Sequence, residues 1–258
     1  MKLIRIKKYY PNVSFPAVIN VKTSNLDDFL SYFAVNDEYS QIHKQRFMHS
    51  FSFLKQYLDR EDYSKILVLG DMGRRSAFIY ALKYFYQDKV IDITNFDVRS
   101  KRYPFRNETY SIIICMEIIE HLADIKKDYM LGSGFYGTGI NNMLSECRRI
   151  LRPDGILFIT IPNVNAYNNI YNLLNFEHPF LYKLHQREFS FNDIREFIEK
   201  NKLKITQFQC LNCWDWSKLA KHQIEKIKDF IKDIGLSNEN RNDDMFFIIQ
   251  KDLNAKNK

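Results

Sequence analysis

The sequence predicts an α/β fold, doubly wound around a mostly parallel sheet. Three observations carry this. The stretches Ile66-Leu67-Val68-Leu69, Ser111 to Met116 and Ile156 to Ile161 are apolar almost throughout rather than alternating. That is how strands covered on both faces read. Segments of helical spacing lie between them, the alternation expected of βαβ units. Gly70 closes the first of these strands, and open α/β sheets bind ligands at the carboxyl ends of their strands.

The elements follow in order. Residues 1–25 are short apolar pieces broken by Pro11 and Pro16, an arm lying on the body. From Asp37 to Asp59, Ile42, Phe47, Phe51, Leu54 and Leu58 recur at near-helical spacing. After the Ile66–Leu69 strand, Phe78, Ala81, Leu82 and Phe85 form the stripe of a helix over Arg74 to Tyr86. Val90 to Ile93 is the second strand and Ser111 to Met116 the third. A helix over Ile140 to Leu151 buries Met143, Leu144, Cys147, Ile150 and Leu151. A Pro153-Asp154-Gly155 turn then leads into the fourth strand, Ile156 to Ile161. Ser190 caps a further helix with Asp193 in a capping-box arrangement, and Ile194, Phe197 and Ile198 form its apolar face. Lys204 to Trp214 and Asp244 to Lys251 are closing strands. They flank a Lys-rich amphipathic helix, about Lys218 to Ile234, whose polar face reads as solvated. The chain divides into an arm with helices at 1–60, an α/β domain at 61–251 and a disordered tail at 252–258.

At 258 residues the chain has the size of one large domain with additions. Its net charge of +7 favours anionic partners (nucleic acid, nucleotide-linked substrates or a membrane surface), or is simply the basic surface of a chain rich in Lys, Asn, Ile, Tyr and Phe. Cys115 and Cys147 fall in apolar faces and read as core residues of a reducing compartment. Cys210-Leu211-Asn212-Cys213 is a lone C-x-x-C without a second ligand pair, and no H-E-x-x-H occurs, so no metal site is expected. No apolar run is long enough to span a membrane. The basic stretch Met1 to Tyr10 lacks the apolar core of a secretory signal, which makes a cytoplasmic location the expectation.

The residues that carry chemistry follow the strands. In Gly70-Asp71-Met72-Gly73-Arg74-Arg75, Gly70 and Gly73 suit close approach of backbone to a nucleotide. Arg74 and Arg75 at a helix start oppose the helix dipole, an opposition that a bound anion or plain hydration offsets. Asp92 ends the second strand, where an acid accepts ribose hydroxyls or caps a turn. Asp97 is a second acid, suited to an adenine amino group. Gly132, Gly134 and Gly137 spell a G-x-G-x-x-G, but the segment before it is charged rather than strand-like, so it reads as a loop. Glu117, Glu120 and His121 cluster after the third strand as general-base candidates, or as groups that contact ligand and neighbouring backbone.

Several stretches together resemble a known family. They are Pro104-Phe105 before the third strand and Glu120-His121-Leu122 after it. Glu146, Arg149, Leu151, Pro153 and Gly155 follow, then Thr160-Ile161-Pro162-Asn163 and His185-Gln186-Arg187-Glu188-Phe189. Over about residues 40–205 the chain resembles class I S-adenosylmethionine-dependent methyltransferases. Its closest look is to the type 11 group of surface-polysaccharide and capsule pathways. The resemblance implies a Rossmann-like sheet with a helical N-terminal extension, and S-adenosylmethionine held by Gly70, Asp71, Gly73, Asp92, Asp97 and Met116. It departs from the family at Val68, Met72 and Arg74, where an acid and two glycines are usual. Between Asp92 and Asp97 there is no room for the usual second crossover helix and third strand, so the sheet is expected one strand short.

The reaction implied is methyl transfer to an oxygen of a glycan-precursor acceptor. A sugar hydroxyl would need a base, for which His121, Glu117 and His185 are the catalytic candidates. A phosphate or phosphoramidate oxygen would need positive charge instead, from Arg74, Arg75, Arg102 and Arg187. Asn163 and Tyr167 complete the substrate set. Two other readings stand beside this one: a catalytically silent binding module, and an RNA-acting methyltransferase. Cys115-Met116-Glu117-Ile118 replaces the Asn/Asp-Pro-Pro-Tyr/Phe motif of base amino-methyltransferases, so nucleic acid is the less expected acceptor.

Overall fold

The computed structural model describes residues 23–70, 76–94, 96–99, 102–123, 137–180, 182, 185–214 and 219–254. Two helices come first, α1 (Leu26–Asn36) and α2 (Glu38–Leu58). Each starts on a side-chain cap: Asn25 accepts from the Asp27 N–H and Asp37 from the Ser40 N–H, both at 2.8 Å. The remaining order is β1 (Lys65–Val68), α3 (Ala77–Phe85), β2 (Val90–Ile93), β3 (Tyr110–Met116), α4 (Thr138–Ile150), β4 (Leu151–Pro162), α5 (Tyr167–Leu174), α6 (Phe191–Lys200), β5 (Leu203–Leu211), α7 (Lys221–Asp233) and β6 (Asp244–Lys251).

The six strands form one sheet in the order β2-β1-β3-β4-β6-β5. β1 pairs in parallel with β2 and with β3, and β3 with β4, while β6 runs antiparallel to both β4 and β5. The strand order reverses between β1 and β3, which makes their carboxyl ends the ligand-binding edge of such a sheet. β2 is one edge of the sheet, and among the described residues no further strand lies between it and β3. That agrees with the short span between Asp92 and Asp97.

Both faces of the sheet are covered. Ile66, Val68, Ile112, Ile114, Phe158 and Phe246 pack under α1, α2 and α3. Leu67, Ile113, Cys115, Leu157, Ile159 and Phe247 pack under α4 and α6. The strands are continuously apolar because each alternate residue enters a different core. The capping box of α6 forms as expected, with the Ser190 and Asp193 side chains each bonded to the other's N–H.

Three expectations change. The Pro153-Asp154-Gly155 turn is a bulge inside β4 rather than a break before it. Tyr110 pairs with Leu151 and Ile112 with Ile156, so the intervening residues bulge between two ladder contacts. Gly155 is required there, since a Cβ would lie 2.9 Å from the Ser111 carbonyl oxygen. β5 ends at Leu211 rather than Trp214. α1 and the Asn-rich α5 are additions to the expected elements, although Leu26, Phe29, Leu30 and Phe33, and Tyr167, Ile170, Tyr171 and Leu174, stand at helical spacing. α5 gains its partners from α7, where Ile227 and Ile231 meet Tyr167, Ile170 and Tyr171.

Candidate functional site

Gly70 leaves β1 at a φ of 69°, a conformation that disfavours side chains. Its N–H donates to Thr94 Oγ1 at 2.8 Å, tying the end of β1 to the end of β2. A Cβ on Gly70 would also run into Ile118 Cδ1. Glycine therefore serves both backbone and packing here. Asp92 is half-buried on β2, and its Oδ2 accepts from the Tyr110 hydroxyl at 2.8 Å. A carboxylate has about four acceptor positions, so one such bond leaves capacity for a ligand. Asp71, Gly73, Arg74 and Arg75 lie outside the described residues, as do Gly132 and Gly134.

Asp97 is exposed and engaged by Arg99, whose N–H and guanidinium all reach it at 2.9 Å. Met116 ends β3, half-buried against the α1–α3 core. Arg102 is exposed. Arg187 donates to Asp193 Oδ1 at 2.9 Å and lies over the Phe189 ring. Asn163 and Tyr167, expected on substrate, make internal bonds. The Asn163 amide donates to the carbonyls of Asn240 and Asn242 at 3.0 and 2.8 Å, and Tyr167 donates to Asn238 O at 3.2 Å. They fasten the exit of β4 to the loop entering β6.

Glu117 follows β3 in a left-handed conformation, φ 52°. Its Oε1 accepts from Thr160 Oγ1 at 2.8 Å, and its Oε2 lies 3.3 Å from Arg46 Nη1. Arg46 is buried in α2, with its guanidinium 5.1 Å from the Trp214 ring centre. Burial opposes its charge, but Glu117, Tyr39 and Asp244 more than offset that, and its pKa is raised. Glu120 and Asp244 are fully buried. Burial, and then the Glu117 charge, pushes both carboxyls well above the usual carboxylate range. Asp243 accepts from the N–H groups of Cys213 and Trp214 at 2.7 and 3.3 Å, and burial raises it to about 7. Arg46, Asp243 and Asp244 were invisible as a group in the sequence, since they come from α2 and β6. One local signal existed: Arg46 and Ser50 continue the helical spacing of buried Leu54 and Leu58.

His121 and His185 come together from distant segments, their rings edge to face with centres 4.8 Å apart. Glu120 and His121 sit on a short 3-10 turn, Ile119–His121, docked by the Gln186 N–H on the Glu120 carbonyl at 2.8 Å. His185 is buried, with Nδ1 2.8 Å from Glu188 Oε1. Glu188 is held in turn by the Asn169 amide at 2.9 Å. Ligand atoms of Glu120, His121 and His185 all lie within 4.8 Å of one another. The sequence showed this corner as the Glu120-His121 pair and a separate His185, with nothing to join them. The C-x-x-C thiols are buried and free, and burial pushes Cys210 up to about 12 and Cys213 higher, away from thiolate chemistry. An open pocket of about 230 Å³ adjoins Asn163, Phe208, Cys210 and Arg241, but none of Gly70, Asp92, Glu120, His121 or His185 lines it. No helix among the described residues is long and apolar enough to cross a membrane.

No protein-family model and no curated protein matches this sequence. Solved structures do. A methyltransferase of Haloferax volcanii, in complex with a methyltransferase activator, shares 12% identity over 91% of this chain and 100% of its own, with a TM-score of 0.51. A SAM-dependent methyltransferase from Thermotoga maritima shares 13% over 88% of this chain and 100% of its own, TM-score 0.50. The O-methyltransferase of a Brevibacillus brevis trans-AT PKS multienzyme, in complex with S-adenosyl-L-homocysteine, shares 12% over 93% of this chain and 82% of its own, TM-score 0.51. At such identities the likeness is one of architecture: this chain has the fold of SAM-dependent methyltransferases.

Proposed function

We propose that the protein is an S-adenosylmethionine-dependent O-methyltransferase. The observation that carries this reading is the carboxyl edge of β1, β2 and β3. There a positive-φ Gly70, a strand-end Asp92 and the Glu117–His121 turn stand side by side, in a fold shared with SAM-dependent methyltransferases. The cofactor's chemistry suits what is present. Gly70 offers backbone without a side chain, and Asp92, steadied by Tyr110, offers acceptor oxygens to ribose hydroxyls. Bound there, S-adenosylmethionine would supply an electrophilic methyl group on a sulfonium. The protein's own task is alignment of an acceptor oxygen with that methyl group.

The acceptor oxygen belongs beside Glu120 and His121, just past β3 at that edge, and His185, which packs against His121 from the segment before α6. His121 is half-exposed and faces Glu120 at 3.9 Å, so it can meet a hydroxyl from solvent and take part in its deprotonation. The acceptor class we favour is a surface-glycan precursor, nucleotide-linked or phosphate-bearing. It rests on the sequence resemblance and on the +7 net charge, which attracts anionic ligands.

Calorimetric titration with S-adenosylmethionine and S-adenosylhomocysteine tests the reading. Saturable binding of both is expected, and none at millimolar ligand would overturn it. Transfer of labelled methyl to nucleotide sugars, rather than to RNA, then tests the acceptor class. Binding without transfer to any acceptor would favour a silent module, and salt-dependent RNA retention would favour an RNA substrate.

A further inference from the structure

We propose that Glu120, His121 and His185 bind a divalent transition-metal ion. Three observations converge. Their ligand atoms lie within 4.8 Å of one another although they come from two distant segments. Glu120 is fully buried, and neither carboxylate oxygen has a hydrogen-bond partner among the described residues. A buried carboxyl without a partner is costly, and in folded proteins such groups stay protonated, pair or hold a metal. The third observation is the support behind His185. Its Nδ1 lies 2.8 Å from Glu188 Oε1, and the Glu188 side chain is fully buried and held by Asn169. A carboxylate only accepts, so Nδ1 carries the proton and Nε2 presents its lone pair. Metal-bound histidines are oriented in this way, by a carboxylate on the far nitrogen.

The geometry needs little change. Ligand atoms around an ion at about 2.0–2.2 Å sit roughly 3 to 3.5 Å apart. Glu120 Oε1 and His121 Nε2 are 3.9 Å apart, and the half-exposed His121 ring is free of tight burial and can close the difference. The Gln186 N–H bond to the Glu120 carbonyl holds the two segments together, so the set is organised before any ion arrives. Two imidazoles and one carboxylate favour Zn²⁺, Co²⁺, Fe²⁺ or Mn²⁺ over Ca²⁺ or Mg²⁺. Three protein ligands leave coordination positions open, as catalytic sites do. Taken with the methyltransferase reading, on which this step rests, the ion would hold the acceptor oxygen and lower the pKa of its hydroxyl, the proton leaving to solvent. His121 and His185 would then act as ligands rather than as a free base.

The test uses the full chain, free of any affinity tag and stripped with chelator. Co²⁺ is titrated and followed by its visible d–d absorption, and Zn²⁺ by calorimetry. One ion per chain is expected. Glu120→Gln and His185→Gln should each weaken binding by more than tenfold, and Glu188→Gln by about 10- to 100-fold, as orienting partners do. Thermal melts establish that each variant is folded. Glu120→Gln is close in shape to the buried neutral carboxyl, so it should melt close to the parent. If His185→Gln does not fold, His121→Gln, at a half-exposed position, gives the same reading. No stoichiometric uptake would overturn the site. So would uptake unchanged in Glu120→Gln and His121→Gln, or uptake lost only with Cys210→Ala and Cys213→Ala. Calorimetry of the metal-free chain with S-adenosylmethionine separates failure of this site from failure of the methyltransferase reading.

Discussion

The Tyr110 hydroxyl donates to Asp92 Oδ2 at 2.8 Å, joining the first residue of β3 to the edge strand β2 across β1. Tyr110 is fully buried, and its ring meets Phe105 at 5.1 Å, which in turn meets Phe96. Phe96, Phe105 and Tyr110 share the core cluster of Leu67 on β1. The tyrosine thus packs in the core and holds the acid proposed to meet the ribose.

Separate variants distinguish those two duties. Asp92→Ala is expected to weaken S-adenosylmethionine binding by about tenfold or more, equal to about 1.4 kcal/mol, while the chain stays folded. Tyr110→Phe leaves the carboxylate but removes its anchor. It should cost about 1 kcal/mol of stability and a smaller, few-fold loss of affinity. Calorimetry and thermal melting read the two effects. Unchanged affinity in Asp92→Ala would move the ribose site elsewhere.

Gly70→Ala combines two penalties. The φ of 69° costs a side chain roughly 1–2 kcal/mol, and the new Cβ runs into Ile118 Cδ1. Ile118→Val removes that Cδ1 atom. The double variant should therefore be more stable than the sum of the singles, by about 0.5–3 kcal/mol, the range for residues in contact. Urea unfolding measures it. Simple additivity would show that backbone strain, not the contact with Ile118, makes glycine necessary.

What could be read in advance followed from local physics. Val90–Ile93 is apolar around Asp92 and Asp244–Lys251 is a dense apolar run with polar ends, and both formed the strands expected of them. Ser190 and Asp193 carry their helix start in four residues, and the cap formed. The site divides differently. Gly70, Asp92 and His121 could be marked because they lie at or just past the carboxyl ends of strands. Arg46 could not, because a long basic residue on a helix is normally solvated, and only β6 brings Asp244 near it. The Glu120–His121–His185 corner needed the fold as well: no local ligand spacing links positions so far apart in the chain. Asn163 and Tyr167 look polar and free as letters, yet the loop entering β6 uses them for its own backbone.

Arg46 is the buried cation among Glu117, Asp244 and Glu120. Arg46→Met keeps much of the apolar contact but leaves Glu117 facing the other acids without it. Breaking a buried pair from one side typically costs about 3–5 kcal/mol. The expected outcome is a large fall in urea midpoint. Arg46→Met with Glu117→Gln should recover part of it, because the unpaired charge goes too. A double variant as unstable as the single would mean that Arg46 acts through its packing on Trp214.

Asp243 links stability to pH. Burial raises its carboxyl to about 7, above the ordinary value of 3.8, despite the N–H bonds from Cys213 and Trp214. The folded chain therefore holds a proton that the unfolded chain has released between about pH 4 and 7. The sign follows from linkage: stability falls as pH rises through that window, by at most about 1.4 kcal/mol per unit for one proton, and levels off above about 7. Groups held low, such as Glu146 with Arg149, slope the opposite way at lower pH. The informative quantity is thus the difference between the parent and Asp243→Asn. Asparagine keeps an oxygen for the Cys213 N–H and carries no titrating proton, so its urea stability should be flatter from pH 5 to 7. Parallel curves for the two proteins would show that Asp243 is ionised throughout the window and that the acid set takes up its proton at another carboxyl.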